Sequence, residues 1–129
     1  MLSSIGIILL ILTLSLSLII IFLSYEGLKK KTNFVETKIY NLSLYQVTFS
    51  ILSFFILLTG FVISDFSLVN VFENSHSDKP IIYKIAATWG SHEGSLLLWI
   101  NILIIFSYLF LIYNKASKKN FRLYTLIFQ

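Results

Sequence analysis

Three long runs without a single charge, separated by short polar breaks, set the pattern of this chain. The first covers Met1–Tyr25, with its apolar body at residues 5–23. The second is Ile39–Ser64, broken only by Asn41, Gln46 and small hydroxyls. The third is Gly94–Asn114, with its body at Leu96–Tyr113. A helix crossing a hydrocarbon layer about 30 Å thick needs roughly 20 such residues at about 1.5 Å each. All three runs are long enough. The β-branched Ile and Val in them would favour strands in water, but in lipid a lone strand leaves its backbone edges unsatisfied, whereas a helix bonds within itself. The runs also lack the alternating polarity of a membrane β-barrel.

The pattern therefore predicts an all-α integral membrane protein. Its three transmembrane helices lie at about 5–23, 39–63 and 95–113, and residues 1–129 form a single membrane region. The connection 64–94 is the exception to the apolar rule. Within it, Pro80 suits the first turn of a helix, where its missing N–H would be unpaired anyway. Ile81, Ile82, Ile85, Ala86 and Trp89 then recur at helical spacing, with Lys84 on the other side. This predicts a short interfacial helix ended by Gly90, with Trp89 and Trp99 at the membrane boundary where indoles collect. The last residues, Leu123–Gln129, turn apolar again. They are too few to span and read as the start of a fourth helix or an interfacial tail.

Composition agrees: 57% of the 129 residues are hydrophobic, 12% are charged, and the mean hydropathy is +0.84. Soluble domains carry about twice that charged fraction. The N-terminal run lacks a basic leader and a small-residue cleavage site, so it is expected to be a retained helix rather than a signal peptide. The net charge of +4 would suggest nucleic acid in a soluble protein, but here its distribution says otherwise. Lys29, Lys30, Lys31 and Lys38 fill the first break, and Lys115, Lys118, Lys119 and Arg122 the tail. Between residues 65 and 93 stand only Lys79 and Lys84, against Asp65, Glu73, Asp78 and Glu93. Three spans put both lysine clusters on one side, which the positive-inside rule assigns to the cytoplasm or matrix. The N-terminus and the 65–93 loop then face the periplasm or intermembrane space. Membrane lipid is the expected surroundings, and no nucleic-acid partner is implied.

Few residues could carry chemistry. There is no cysteine, hence no disulfide, thiolate metal site or thiol nucleophile. The two histidines, His76 and His92, both lie in the 65–93 loop. His92-Glu93 lacks the second histidine that a zinc-protease helix needs, and Gly90-Ser91-His92 is out of register for a serine-nucleophile elbow. A metal held by His76 and His92 would still want a third ligand. Axial haem ligation by one histidine is chemically open. The plainer reading has His92 and Glu93 hydrogen-bonding to polar loop atoms and seating the mouth of the third span. No catalytic, metal or cofactor-binding residue is assigned.

The stretch from Asn74-Ser75-His76 through Pro80 and Tyr83-Lys84-Ile85-Ala86 to Trp89-Gly90-Ser91-His92-Glu93-Gly94-Ser95-Leu96-Leu97-Leu98-Trp99 resembles the N-terminal signature of the CcmF family. That family provides the large membrane subunit of the System I cytochrome c maturation machinery. Its usual form is Trp-Gly-Gly-His-Glu-Gly-Ser, from which this chain departs at Ser91. The signature residues are Trp89, Gly90, His92, Glu93, Gly94, Ser95 and Trp99. The resemblance covers the chain but only the first part of the family's length. It implies a segment of a haem lyase in a mitochondrial or bacterial inner membrane. Its implied partners are the remaining CcmF segments or chains, other maturation subunits and, through the complex, apocytochrome c.

The family's tryptophan-rich haem-handling loop and its haem-ligand histidines have no counterpart here. The resemblance therefore implies haem handled by the whole complex and not ligated by this segment. A split-gene piece or a truncated copy would fit such a chain. An alternative of another class is a small accessory subunit of a respiratory or transport complex without a role in maturation. Only the 74–99 signature separates the two. A channel or proton-translocating subunit would want ionisable groups inside the spans, and there are none. Helix contacts with partner chains are expected at small and polar positions such as Gly6, Ser15, Ser17, Ser50, Ser53 and Gly60.

Overall fold

The computed structural model describes residues 2–30, 33–113 and 119–127. Lys31, Lys115, Lys118 and Gln129 lie outside them. The described chain is helical, in the order α1 (Leu2–Lys30), α2 (Asn33–Ile63), α3 (Val69–Asn74), α4 (Ile81–Gly90), α5 (His92–Tyr113) and α6 (Lys119–Ile127), with no strand among the described residues. Leu2–Lys29, Thr37–Ile63 and His92–Tyr113 are long and apolar enough to cross a membrane, as expected. The chain is an integral membrane protein.

The interior is made by small and polar side chains, the reverse of a water-soluble bundle. In lipid the outward face gains nothing from being polar, so helices associate where small residues let backbones approach. On α1 the inward positions Gly6, Thr13, Ile20 and Gly27 recur every seven residues. On α2 they are Ile39, Ser43, Gln46, Ser50, Ser53 and Gly60, alternately four and three apart before the last step. Such spacing follows one seam of a slightly supercoiled helix pair. α1 and α2 accordingly form the main packing contact. A side chain added at Gly6 would touch Ile56 Cγ2 at 3.4 Å, and one at Gly60 would collide with Leu68.

Several hydroxyls inside the spans bond to their own helix, while those of Ser24, Ser43 and Ser50 have no partner among the described residues. Thr13 Oγ1 donates to the Leu9 carbonyl (2.8 Å), Thr48 Oγ1 to Leu44 (2.9 Å) and Ser53 Oγ to Ser50 (2.7 Å), which satisfies them without another chain. So Gly6, Ser53 and Gly60, expected to meet partner chains, are largely taken up by contacts within this one, whereas Ser50 Oγ has no hydrogen-bond partner among the described residues. Ser15 remains exposed.

α2 is the central helix. Of its most apolar 18-residue stretch 28% is buried, against 11% for the corresponding stretches of α1 and of α5. It packs on α1, α5 and α4, whereas α1 and α5 share no contact of that extent. At the end away from the 64–94 connection, Leu123 and Leu126 of α6 close a small core with Ile20 and Ile39. α6 folds back against α1, because its two leucines at i and i+3 share one face.

Candidate functional site

The 64–94 connection is a folded cap on α2 and α5 rather than a loop with one helix in it. α2 ends with Ser64 at φ 56°. Asp65 N–H donates to the Gly60 carbonyl (2.9 Å) and Ser64 N–H to that of Phe61 (3.2 Å). This paired closure is usually completed by glycine, and here by serine. A left-handed serine costs about 1–2 kcal/mol, and its side chain shows what offsets that cost. Lys84 Nζ, from twenty residues on, donates to Ser64 Oγ at 2.7 Å.

Asp65 starts the next turn. Its Oδ1 accepts from Ser67 N–H (3.1 Å) and Ser67 Oγ (2.6 Å). These bonds, from the hydroxyl first and then the backbone, hold its carboxyl below the usual range. The turn leads into α3, a helix absent from the sequence-based expectation. It is a single turn and a half, too short to show periodicity, and it is fixed by Val71, which is fully buried against Gly60 and its surroundings.

α4 forms where expected, with Pro80 one position earlier than predicted, as the residue before the first turn. The Pro80 carbonyl accepts from Tyr83 and Lys84 N–H at 3.0 and 3.2 Å. Lys84 is only 9% exposed and Thr88 is fully buried, while Ile81, Ile82, Tyr83 and Trp89 face outward. Lys84 stands on the side opposite Ile81, Ile82 and Trp89, as expected. It turns inward because the outside is apolar and the protein interior offers the Ser64 hydroxyl. Gly90 is the last residue of the helix, as expected, although not through a left-handed turn, since no glycine has positive φ. The break falls at Ser91, whose backbone is extended (φ −76°, ψ 151°).

Ser91 also begins α5. Its Oγ accepts from Gly94 N–H (3.2 Å) and donates to the Thr88 carbonyl (3.1 Å), so one hydroxyl caps α5 and closes α4. The position where this chain departs from the signature therefore has a local structural task. Gly94 is buried against the end of α4, and a side chain there would run into the Thr88 carbonyl, with Ser91 Oγ at 2.7 Å. Gly90, by contrast, has nothing within 4 Å of where a side chain would stand.

The two signature glycines therefore differ: packing demands the second and not the first. His92 and Glu93 do not seat the helix mouth. Both are exposed, and neither side chain has a hydrogen bond among the described residues; Ser91, Gly94, Thr88 and Lys84 do the seating. Glu93 lies in the first turn of α5, where a carboxylate suits the helix dipole. Ser95 is exposed, with its Oγ donating to the His92 carbonyl (2.9 Å). Trp89 is exposed at the end of α4, and Trp99, 70% exposed, stands two turns into α5. Trp89, Gly90, His92, Glu93 and Trp99 are thus presented outward on a rigid corner. His76 is exposed on the turn after α3, where its carbonyl accepts from Lys79 N–H at 3.3 Å.

Two cavities of about 220 and 510 Å³ run along α2 between α1 and α5, and no histidine lines either. Among the described residues no three His, Asp or Glu side chains gather in an array that could hold a metal ion.

No protein-family profile matches the chain, and no solved structure does. Curated proteins do. Over 55 residues, 43% of this chain, it is 62% identical to the cytochrome c-type biogenesis protein CycK of Rhizobium meliloti. Over 97 residues, 75% of the chain, it is 43% identical to CycK of Bradyrhizobium diazoefficiens. Over 48 residues, 37% of the chain, it is 50% identical to the cytochrome c-type biogenesis protein CcmF of Escherichia coli. The chain spans only 8%, 15% and 7% of those proteins' lengths. A membrane-spanning fold capped by the 74–99 signature, together with this similarity, identifies the chain as a CcmF-like membrane protein of the cytochrome c-type biogenesis family.

Proposed function

We propose that this chain acts in c-type cytochrome maturation as a segment of a haem-lyase membrane subunit. Its α3–α4 cap lies on the periplasmic or intermembrane-space side of an inner membrane, braced against the rest of the assembly. Membrane and maturation roles are what its relatives' names and its three apolar helices support. The observation that carries the finer reading is the contrast within the signature. Gly94 and the non-signature Ser91 are consumed by local packing, while Trp89, Gly90, His92 and Glu93 are exposed and make no side-chain hydrogen bond among the described residues.

Residues in fixed order that do not serve the fold are available to a partner, here the remaining haem-lyase segments or another maturation subunit. Haem is the cargo of the assembled machinery, and apocytochrome c meets it there. The described residues offer no ligand set for it, so no chemical step is assigned to this chain. The eight basic residues that the sequence gathers in the first break and the tail support this orientation.

The test is complementation in cells lacking the chain. His92→Ala and Glu93→Ala should each reduce covalently haem-loaded c-type cytochromes more than His76→Ala, with the variant chains present at wild-type levels. Normal c-type cytochromes in the absence of the chain would refute the role. A cysteine placed at Ser77 in this otherwise cysteine-free chain should react with an impermeant thiol reagent only from the periplasmic or intermembrane-space face.

A further inference from the structure

The two cavities are one groove. Leu10 and Ile100 line both, and α1 and α5 flank it while α2 forms its floor. It opens at the capped end between Leu2, Asn70 and Glu93, and reaches Ser50 and Gln46 deep in the bundle. Ser50 lies about thirteen residues inside the end of α2 at Ile63, or about 20 Å. This is most of the way to the middle of α2 and too deep for water. Any polypeptide occupying that depth must be helical, since every backbone group has to be satisfied internally.

Two features say more about the occupant. Ser50 is 1% exposed, lines the floor, and its Oγ has no hydrogen-bond partner among the described residues. Thr13 and Ser17 line the groove at the same depth. An acyl chain would offer this band nothing, whereas a helix carrying a polar side chain would. At the mouth, Glu93 is exposed and makes no ion pair among the described residues, so a basic residue on the occupant would be complementary. The relatives are many times longer than this chain, and their remaining length is where further helices would come from.

We propose that the groove between α1 and α5 receives one further transmembrane helix of the haem-lyase assembly. That helix carries a Lys or Arg beside Glu93 and a hydrogen-bonding side chain about thirteen positions deeper, at Ser50. This rests on the proposed role in maturation, because the assembly supplies the helix.

The test places a photo-crosslinking amino acid at Leu10, at Ile100 or, on the opposite side of α1, at Leu12, in the full chain in native membranes. Crosslinked peptides are then read by mass spectrometry. Leu10 and Ile100 should capture the same apolar segment, one long enough to span and basic at the capped end, and Leu12 should not. Leu10→Trp, which fills the groove from its exposed wall, should lower the Ile100 adduct about tenfold or more, and Glu93→Lys should lower the Leu10 adduct. Lipid adducts alone at Leu10 and Ile100, or the same peptide equally at Leu12, would overturn the proposal. c-type cytochromes measured on the same cells separate the two ideas. Lipid-only adducts with maturation still dependent on His92 and Glu93 remove the groove and leave the role. A helix adduct in cells whose cytochromes do not need the chain does the opposite.

Discussion

Gly94→Ala is the sharpest perturbation the structure offers, because Gly90→Ala, four residues earlier, is its built-in control. A methyl at Gly94 would run into the Thr88 carbonyl, which is backbone and cannot turn aside, with Ser91 Oγ only 2.7 Å away. α5 must draw back from the end of α4. The overpacking alone costs about 1–3 kcal/mol. The movement also pulls apart the Ser91 cap, two hydrogen bonds of 3.1 and 3.2 Å, for roughly another 1 kcal/mol. The expected loss is therefore about 2–4 kcal/mol. Gly90→Ala meets open space at an ordinary helical φ and should be neutral or stabilising by up to about 1 kcal/mol. The assay is reversible unfolding of the purified chain in mixed micelles by rising SDS fraction, followed by circular dichroism. A Gly94→Ala chain as stable as the wild type would refute the packing argument, as would equal damage from both substitutions. Should Gly90→Ala be stable yet fail in cytochrome maturation, the defect would locate a surface that a partner approaches closely.

Lys84→Met keeps the length of the side chain and removes the ammonium that bonds Ser64 Oγ. Hydrogen bonds to charged groups contribute about 1.5–3 kcal/mol, so amide hydrogen exchange across residues 81–90 should quicken by roughly tenfold or more; unchanged protection would mean that α4 is held by its other contacts alone. Asp65 has a lowered folded-state pKa, so its contribution is fully present above the unfolded carboxylate value of about 3.9 and is lost as pH falls through the lower folded value. Exchange protection of residues 65–74 should therefore weaken only below about pH 4, and Asp65→Asn should abolish that dependence. Leu57→Arg puts a cation within α2, at a cost of roughly 3 kcal/mol on insertion scales, and should block membrane integration; normal integration would displace the span.

Three apolar spans and the short helix after Pro80 were legible in the sequence, because each rests on a property carried by consecutive residues. Backbone desolvation demands long uncharged helices, and a proline fixes where a helix can start. The signature too was legible, since order along the chain is all a resemblance needs. What the sequence could not settle is direction. In water an apolar stripe marks the inside of a helix, but against lipid both faces are acceptable to Ile and Leu, so α1, α2 and α5 carry no stripe to read. Only the packed bundle shows that the inward seam is Gly6, Thr13, Ser43, Gln46 and Ser50, that Lys84 turns in to the left-handed Ser64, and that His92 and Glu93 face away from the helix mouth. These depend on which backbones come close enough to exclude a side chain, a distance between residues far apart in the chain that no local pattern encodes.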